Sequence, residues 1–512
     1  VSTPDVLAAI ADQTRTGPDR SAVKDQHRDL TYADLLDETA RVAAGLRARG
    51  VGEGDRVALC FPNSVDFVVT ALASLWIGAI FVPLAVTDPS ARLGVIIGDS
   101  APAIVVTADG SDGGTDGGPD LPTEVLGTPV ATIGELRAAE GVPQSPRSAG
   151  GAYIIYTSGT TGTPNGVLIG RPAFAAAVAA CRAALGLDRE TRTLCVSPFH
   201  FDGSFGTLFP TLCSGGAVVI RPRDALLFPR TFFNAVAADA ITYTGFSPSY
   251  LRLLLGSPHL DTLAGSTLRI IALGGEASSL SDISALWAAA PEVAVFNRYG
   301  PTETTIAVTH MLVTPESTTE GAVPLGQPHP GVTFHLIDED GRPVKGAEQV
   351  GELYIGGVQL MTGYWGNPAH TASVFSDDLV PGERLYRTGD LMRRNRAGDY
   401  VYVDRSDRVI NRGGVRISLV ELGDTMRNVE GVSAAACLTY DNDGRTGIVA
   451  FVVSDGALSA LELRHAAASR LPDSMLPDRI ERVDTLPLAR SSKLDERQLL
   501  ADAGLSPPPP GS

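Results

Sequence analysis

The sequence predicts an α/β protein, with a large multi-layered α/β N-terminal domain and a small, mobile α+β C-terminal domain. Three observations predict it. The chain has 512 residues, and one hydrophobic core rarely grows past about 250–300 residues, so at least two domains are expected. Through its first two thirds, short β-rich apolar runs alternate with helical stretches, the pattern of layered α/β structure with much parallel sheet. After about residue 350 the texture changes to short antiparallel strands with turns, then to helix, strands and helix from Val420 onward.

The elements follow in order. Residues 34–50 place apolar side chains at helical spacing and stop at Gly50. RVALCF reads as a strand, VDFVVTALASLWIGA as a helix and AIVVT as a strand. The most apolar window, Val68 to Val86, contains Pro83 and mixes in small and polar residues. It is expected to be a buried helix leading into a strand, not a membrane span. VLIG, AVVIR, RIIAL and AVFNRYG are further short strands. Residues 109–121 are a Gly/Asp-rich surface loop, and SPPPPGS is a loose tail. The expected division is 1–403 for the N-terminal domain, 404–409 for a hinge, 410–505 for the C-terminal domain and 506–512 for a flexible tail.

Apolar residues make up 44% and charged residues 19%, which argues against global disorder. With 41 basic and 58 acidic residues the formal charge is −17, an unfavourable balance for a nucleic-acid binder. The five cysteines, Cys60, Cys181, Cys195, Cys213 and Cys437, are scattered without CxxC spacing. Neither a disulfide framework nor a zinc site is expected, and a cytoplasmic location is. The N-terminal residues do not read as a signal peptide.

The sharpest chemical segment is Tyr156-Thr157-Ser158-Gly159-Thr160-Thr161-Gly162-Thr163-Pro164-Asn165-Gly166, after the strand AYIIY. Glycines let the backbone curl so that successive N–H groups point at one anion, and hydroxyls add donors. No GK[ST] follows, so this is not a Walker A loop. The segment resembles the phosphate loop of adenylate-forming enzymes: acyl-CoA synthetases, luciferases and the adenylation domains of nonribosomal peptide synthetases. Further motifs of that superfamily follow in order: LTYADL, GAIFVPLAVTDPSARL, NRYGPTETT, GELYIGG, YRTGDL, DRSDRVINRGGVRISLVELG and SSKLDE. The resemblance covers about residues 30–496.

The resemblance implies ATP and Mg²⁺ and assigns roles to matching residues. Thr157, Ser158, Gly159, Thr160, Thr161, Gly162, Gly275, Glu276, Asn297, Tyr299, Gly300, Thr302, Asp390 and Arg405 fall where the family binds the nucleotide. Glu303 matches the Mg²⁺ carboxylate, in keeping with that ion's preference for oxygen. Asp390 matches the carboxylate that accepts both ribose hydroxyls. Lys493 matches the catalytic lysine that meets negative charge in the transition state. Asp407 matches the hinge about which the small domain rotates between adenylate-forming and thioester-forming orientations, and Gly413-Gly414 the pantetheine tunnel. Departures occur: Thr163 and Asn165 stand where lysines are common, Asp404 replaces a usual glycine, and Ser-Ser precedes the lysine. INRGGVRIS reads more like stand-alone acyl-activating enzymes.

FHFDGSF carries the acid-selecting signal. Amino-acid-activating members place an aspartate here, matching Asp202, to hold the substrate ammonium. A buried carboxylate is costly unless paired, and a cation about 4 Å away returns roughly 4 kcal/mol at an effective dielectric near 20. The other reading is an aspartate capping a helix that starts at Gly203. By resemblance the remaining lining is Gly203, Gly206, Gly245, Ile271, Leu273, Arg298, Ile306 and Ala307. The glycines suggest room or a close backbone. Arg298 either clasps a second carboxylate or points away to pair on the surface.

Glycine after the aspartate resembles stand-alone β-amino-acid adenylation enzymes of macrolactam polyketide pathways. The expected protein adenylates an amino acid, foremost a β-amino acid and, if Arg298 faces the pocket, one of aspartate or 3-methylaspartate type. It passes the acyl group to the phosphopantetheine thiol of a discrete carrier protein. The alternatives are an α-amino-acid enzyme, an acyl-CoA ligase, a luciferase-like oxygenase and a non-catalytic binding subunit. No nucleic-acid or membrane partner is expected.

Overall fold

The computed structural model describes residues 4–88, 90–109, 124–125, 127–138, 150–157, 164–318, 322–405, 409–412, 415–442, 445–454, 458–468, 476–489 and 494–508. Two eight-stranded, mostly parallel sheets dominate them. One runs in the order Thr309–Val313, Ala294–Tyr299, Ile270–Gly274, Tyr243–Phe246, Arg192–Cys195, Ala217–Ile220, Ser21–Lys24, Asp29–Thr31. The other runs Gly363–Tyr364, Asn165–Gly170, Gly151–Thr157, Ile80–Leu84, Arg56–Cys60, Ile104–Thr107, Thr128–Thr132, Glu124–Val125.

Between the sheets lie helices Tyr32–Ala48, Val65–Ile77, Arg171–Leu185 and Phe205–Cys213, in one core that takes side chains from both. A second core covers the outer face of the first sheet and a third that of the second. This helix–sheet–helix–sheet–helix arrangement is the multi-layered α/β domain expected. Both faces of a central parallel strand are covered, which is why those strands read as continuous apolar runs.

Local chemistry sets the helix ends. The first long helix begins at Tyr32, earlier than its apolar spacing suggests, because Thr31 and Asp34 form a reciprocal capping box. Tyr32 is fully buried, and its hydroxyl donates to the carbonyls of Leu212 and Gly216, each at 2.8 Å. Helix Val6–Thr16 is held by Asp5, which takes Nε and Nη2 of buried Arg171 at 2.9 and 2.8 Å. Val65–Ile77 ends at Gly78 in the left-handed region, and Ile80–Leu84 follows, so the apolar window is a helix and a strand inside the protein. No helix among the described residues is long and apolar enough to cross a membrane.

An antiparallel sheet of strands Val332–Ile337, Gly351–Gly357, Leu385–Arg394, Phe375–Ser376 and Tyr400–Arg405 packs beside these layers. The smaller C-terminal part has helix Leu419–Arg427, a sheet of Val432–Asn442, Arg445–Ser454 and Arg479–Arg482, and helices Ala460–Ala468 and Glu496–Asp502. It has its own buried clusters. The described part of its boundary is strand Tyr400–Arg405, hairpin Val409–Arg412/Val415–Ser418, then that helix.

Candidate active site

Strand Gly151–Thr157 carries the chain to the Ser/Thr/Gly segment, and Asn165–Gly170 returns antiparallel to it. Tyr156 anchors the outgoing end by donating to Asp99 at 2.5 Å, and Thr157 Oγ1 lies 3.5 Å from the Asn165 carbonyl. Ser158, Gly159, Thr160, Thr161 and Gly162 lie outside the described residues, as do Asp407, Gly413, Gly414 and Lys493.

The 3₁₀ turn Thr302–Thr304 packs on that return strand and carries Glu303. Tyr364, on the neighbouring strand, donates its hydroxyl to Glu303 Oε1 at 2.8 Å. Burial and the Glu303 charge both push the tyrosine pKa up, so it stays a donor and fixes one carboxylate oxygen. No cluster of three or more His, Cys, Asp or Glu able to hold a metal occurs among the described residues. A lone carboxylate suits Mg²⁺, which keeps water and phosphate as its other ligands.

Three residues far apart in sequence converge beside this turn. Asp390 and Arg405 are register partners on adjacent antiparallel strands, with Arg405 Nη1 3.4 Å from Asp390 Oδ1. Tyr299, at the end of its strand, hydrogen-bonds the other oxygen of Asp390. Gly300 must be glycine, since a Cβ there would come within 2.5 Å of Ala307 Cα. Asn297 is 2% exposed, and its amide is engaged at both ends: Nδ2 donates to the Pro324 carbonyl at 3.0 Å and Oδ1 accepts from Ser278 at 2.8 Å. Gly275 is left-handed, with φ +85°. Glu276 Oε2 accepts from the backbone N–H and hydroxyl of Ser249 at 3.0 and 2.5 Å, while Oε1 is buried with no partner among the described residues.

The acid-selecting segment forms the 3₁₀ turn Asp202–Ser204 leading into helix Phe205–Cys213. The N-cap positions of these two elements are Phe201 and Ser204, and Asp202 is the first residue of the 3₁₀ turn, so it does not stand at the N-cap that the alternative reading gives it. Behind the turn stands a block of tilted and edge-packed rings, Phe67, Phe81, Tyr153, Phe174, Phe199, Phe205 and Phe209, with neighbouring centroids 4.9–6.4 Å apart. The pKa of Tyr153 is pushed well up by burial first and by the Asp202 charge next. Asp202 stands at the head of the helix whose first residue, Phe205, packs in this block.

Strand parity corrects two pocket assignments. Ile271 and Leu273 are 0% exposed and pack in the outer core with Leu194, Val196 and Val295. Their neighbours Ala272 and Gly274 share the face of Gly245 and Arg298, because Gly245 pairs with Ala272 and Gly274 with Arg298. Alternation along a strand permits only one of the two sets to face the pocket.

The glycines are also not empty room. A Cβ on Gly206 would lie 3.1 Å from Arg298 Nη1 and 2.7 Å from Ile306 Cγ2; on Gly245, 3.4 Å from Nη2; on Gly274, 2.5 Å from Cγ. The arginine side chain fills the space the glycines leave. At Gly203 nothing lies within 4 Å of the added carbon. Arg298 does not reach the surface: it is 8% exposed. Ile306 and Ala307 are buried on the loop after Glu303. Thr305 and Ile306 have φ of +62° and +70°, unusual for β-branched residues and a sign of a backbone held under strain.

What holds it was invisible in the motifs. Gln359 Nε2 donates to the Ala307 carbonyl at 2.8 Å and lies 3.3–3.4 Å from those of Thr304 and Thr305. Its Oε1 must then accept from His329 Nδ1, at 3.1 Å. A neutral His329 offers Nε2 as acceptor to His310 Nδ1, 3.0 Å away, and His310 Nε2 is buried without a hydrogen-bond partner among the described residues. Burial pushes the pKa of both histidines down; His329 and Arg298 add to the effect at His310.

Known proteins fit this arrangement. The family model "AMP-binding enzyme" matches residues 10–365, and "AMP-binding enzyme C-terminal domain" matches 424–493. An isonitrile lipopeptide synthase of Streptomyces coeruleorubidus is 33% identical over 97% of this chain, which spans only 33% of that protein. The novobiocin biosynthesis protein H of Streptomyces niveus is 31% identical, over 98% of this chain and 85% of its own length. A four-domain nonribosomal peptide synthetase solved with AMP and glycine superposes with a TM-score of 0.84 at 27% identity, over 97% of this chain and 36% of that one. The chain accordingly belongs to the AMP-binding enzyme family, within the adenylate-forming superfamily that includes the adenylation domains of nonribosomal peptide synthetases.

Proposed function

We propose that the protein activates an amino acid, foremost a β-amino acid, with MgATP and transfers it to the phosphopantetheine thiol of a discrete carrier protein in the cytoplasm. The observation that carries the reading is the placement of Asp202 in a turn at the head of a helix whose Phe205 packs edge-on against Tyr153 and whose Gly206 faces Arg298 and Ile306. The open space at Gly203 leaves room for an amine displaced by one carbon.

In this reading Tyr299, Asp390 and Arg405 hold the nucleoside, with Thr157 and Ser158–Gly162 around the phosphates. Gly275, Glu276, Asn297, Gly300 and Thr302 complete the site. Glu303 holds Mg²⁺, oriented by Tyr364. Mg²⁺ supplies charge neutralisation for the phosphates when bound. The substrate carboxylate oxygen attacks the α-phosphorus, the bond to the bridging oxygen breaks, and pyrophosphate leaves. Lys493 meets the negative charge that builds on the α-phosphate and carboxylate oxygens. The small domain turns about Asp407. The carrier thiolate then attacks the acyl carbon, AMP leaves, and the thiol proton passes to solvent.

ATP–pyrophosphate exchange with a panel of α-amino, β-amino, fatty and aryl acids tests the reading. Exchange with amine-bearing acids is expected, lost in Asp202→Ala and in Lys493→Ala. Exchange confined to acids without an amine would move the protein to the acyl-CoA ligases. Free coenzyme A as the better acceptor would remove the carrier protein.

A further inference from the structure

We infer that the pocket selects an amino acid with a second carboxylate, which Arg298 binds; this deepens the adenylation reading above and rests on it. Arg298 is buried to more than nine tenths, at 8% exposure. Its Nη1 is out of solvent, with no hydrogen-bond partner among the described residues, and the arginine forms no ion pair there. Gly206, Gly245 and Gly274 stand where a Cβ would crowd this side chain, so three positions on three elements make way for it.

Such a cation needs an anion. Arginine does not give up its proton in a protein, and a desolvated charge without a partner is strongly unfavourable. Helices Arg171–Leu185 and Phe205–Cys213 and strands Tyr243–Phe246, Ile270–Gly274 and Thr309–Val313 contain no Asp or Glu; the adjoining 3₁₀ turn carries Asp202, the carboxylate that the adenylation reading reserves for the substrate ammonium. His310, directly across the strand pair from Arg298, is neutral or cationic and so supplies no negative charge. The planar fork of the guanidinium matches a carboxylate through two parallel hydrogen bonds.

Its position sets the size of the ligand. Nη1 lies at Gly206, four residues beyond Asp202, which is about one helical turn or ~6 Å. An ammonium at Asp202 and a carboxylate at Arg298 are then only a few bonds apart. That is the spacing within an amino dicarboxylate the size of aspartate or glutamate.

The test uses the whole chain, calorimetric binding and ATP–pyrophosphate exchange. The panel is aspartate, glutamate, their neutral amides asparagine and glutamine, alanine, β-alanine, succinate and glutarate. The expected result is a preference of about 100-fold or more for an amino dicarboxylate over its amide, since a site built for a polar group rejects the analogue that cannot pair with it. Arg298→Met should erase that preference and Arg298→Lys keep part of it, with AMP binding and the melting curve of each variant as checks on folding. A preference for an amide or for alanine, unchanged in Arg298→Met, overturns the inference and leaves adenylation intact. So does a failure of every dicarboxylate to bind. Exchange with succinate or glutarate alone, lost in Arg298→Met, would keep the carboxylate at Arg298 and remove the amine from Asp202.

Discussion

Tyr364 shows how one hydroxyl can set the geometry of a proposed metal site. Its 2.8 Å bond takes one oxygen of Glu303 and leaves the other for the cation. Hydrogen bonds to charged groups are worth about 1.5–3 kcal/mol, so Tyr364→Phe should raise the KM for MgATP by roughly tenfold, with little change in the KM for the acid. Equal changes in both constants would mean that the tyrosine only supports the fold. Gly206 makes a complementary case. Gly206→Ala places a methyl 2.7 Å from Ile306 and 3.1 Å from Arg298 Nη1. A weakening of acid binding of about 10-fold or more is expected, read as KM in the exchange assay, because overpacking of this kind costs about 1–3 kcal/mol.

At the scale of elements, the loop from Thr302 to Ala307 is a strained segment braced from behind. Gln359→Leu would strip the donor from the Ala307 carbonyl and its neighbours. A loss of about 1–3 kcal/mol in unfolding free energy is expected, with a raised KM for the acid. The histidine pair adds a pH dependence. Both pKa values are lower in the folded protein than the ordinary value near 6.5, so at lower pH the unfolded chain takes up protons that the native state does not. Stability is therefore full above about pH 6.5 and falls as pH drops below it, by up to about 1.4 kcal/mol per pH unit per histidine. Melting curves from pH 7.5 to 5 should show this, and His310→Gln should make the slope shallower. A slope unchanged in that variant would place the effect elsewhere.

Across the whole molecule, Arg427 of the small domain lies within electrostatic range of the large one. It ends helix Leu419–Arg427, donates to the Ala435 carbonyl at 3.3 Å, and pairs with Asp424. Its pKa is pushed down to about 10, mainly by burial and next by Arg252; Asp282 and Glu276 act the other way. These last three belong to the large domain, where Arg252 reaches Asp282 at 3.2 Å and Glu276 at 3.7 Å. One of the charges that act on Arg427 therefore belongs to the proposed nucleotide site. Arg427→Glu would set a carboxylate against Glu276 and Asp282. It should open the molecule, seen as a larger radius of gyration in small-angle scattering and faster proteolysis near residues 404–409. An unchanged scattering curve would show that the charge of Arg427 does not hold the two parts together.

The sequence by itself determined the layered α/β class, the small C-terminal domain, the family and the identity of the motif residues. These depend on local signals: apolar runs between turn residues, and short motifs in a fixed order. It also placed Tyr299, Asp390 and Arg405 in one site, which the strand register brings together. Only the tertiary structure decided which residues of RIIALGG face the pocket. A parallel strand buried on both sides is apolar at every position, so its sequence carries no alternation from which parity could be read. Neighbouring strands fix that parity, and they turn Ala272 and Gly274 toward Arg298 and Ile271 and Leu273 away. The same holds for Gln359, His329 and His310, joined across up to 49 positions of chain with no motif to mark them. The fate of Arg298 was open in the sequence for the same reason. Whether an arginine reaches solvent or stays inside depends on the space its neighbours leave, and here three glycines from a helix and two strands leave it.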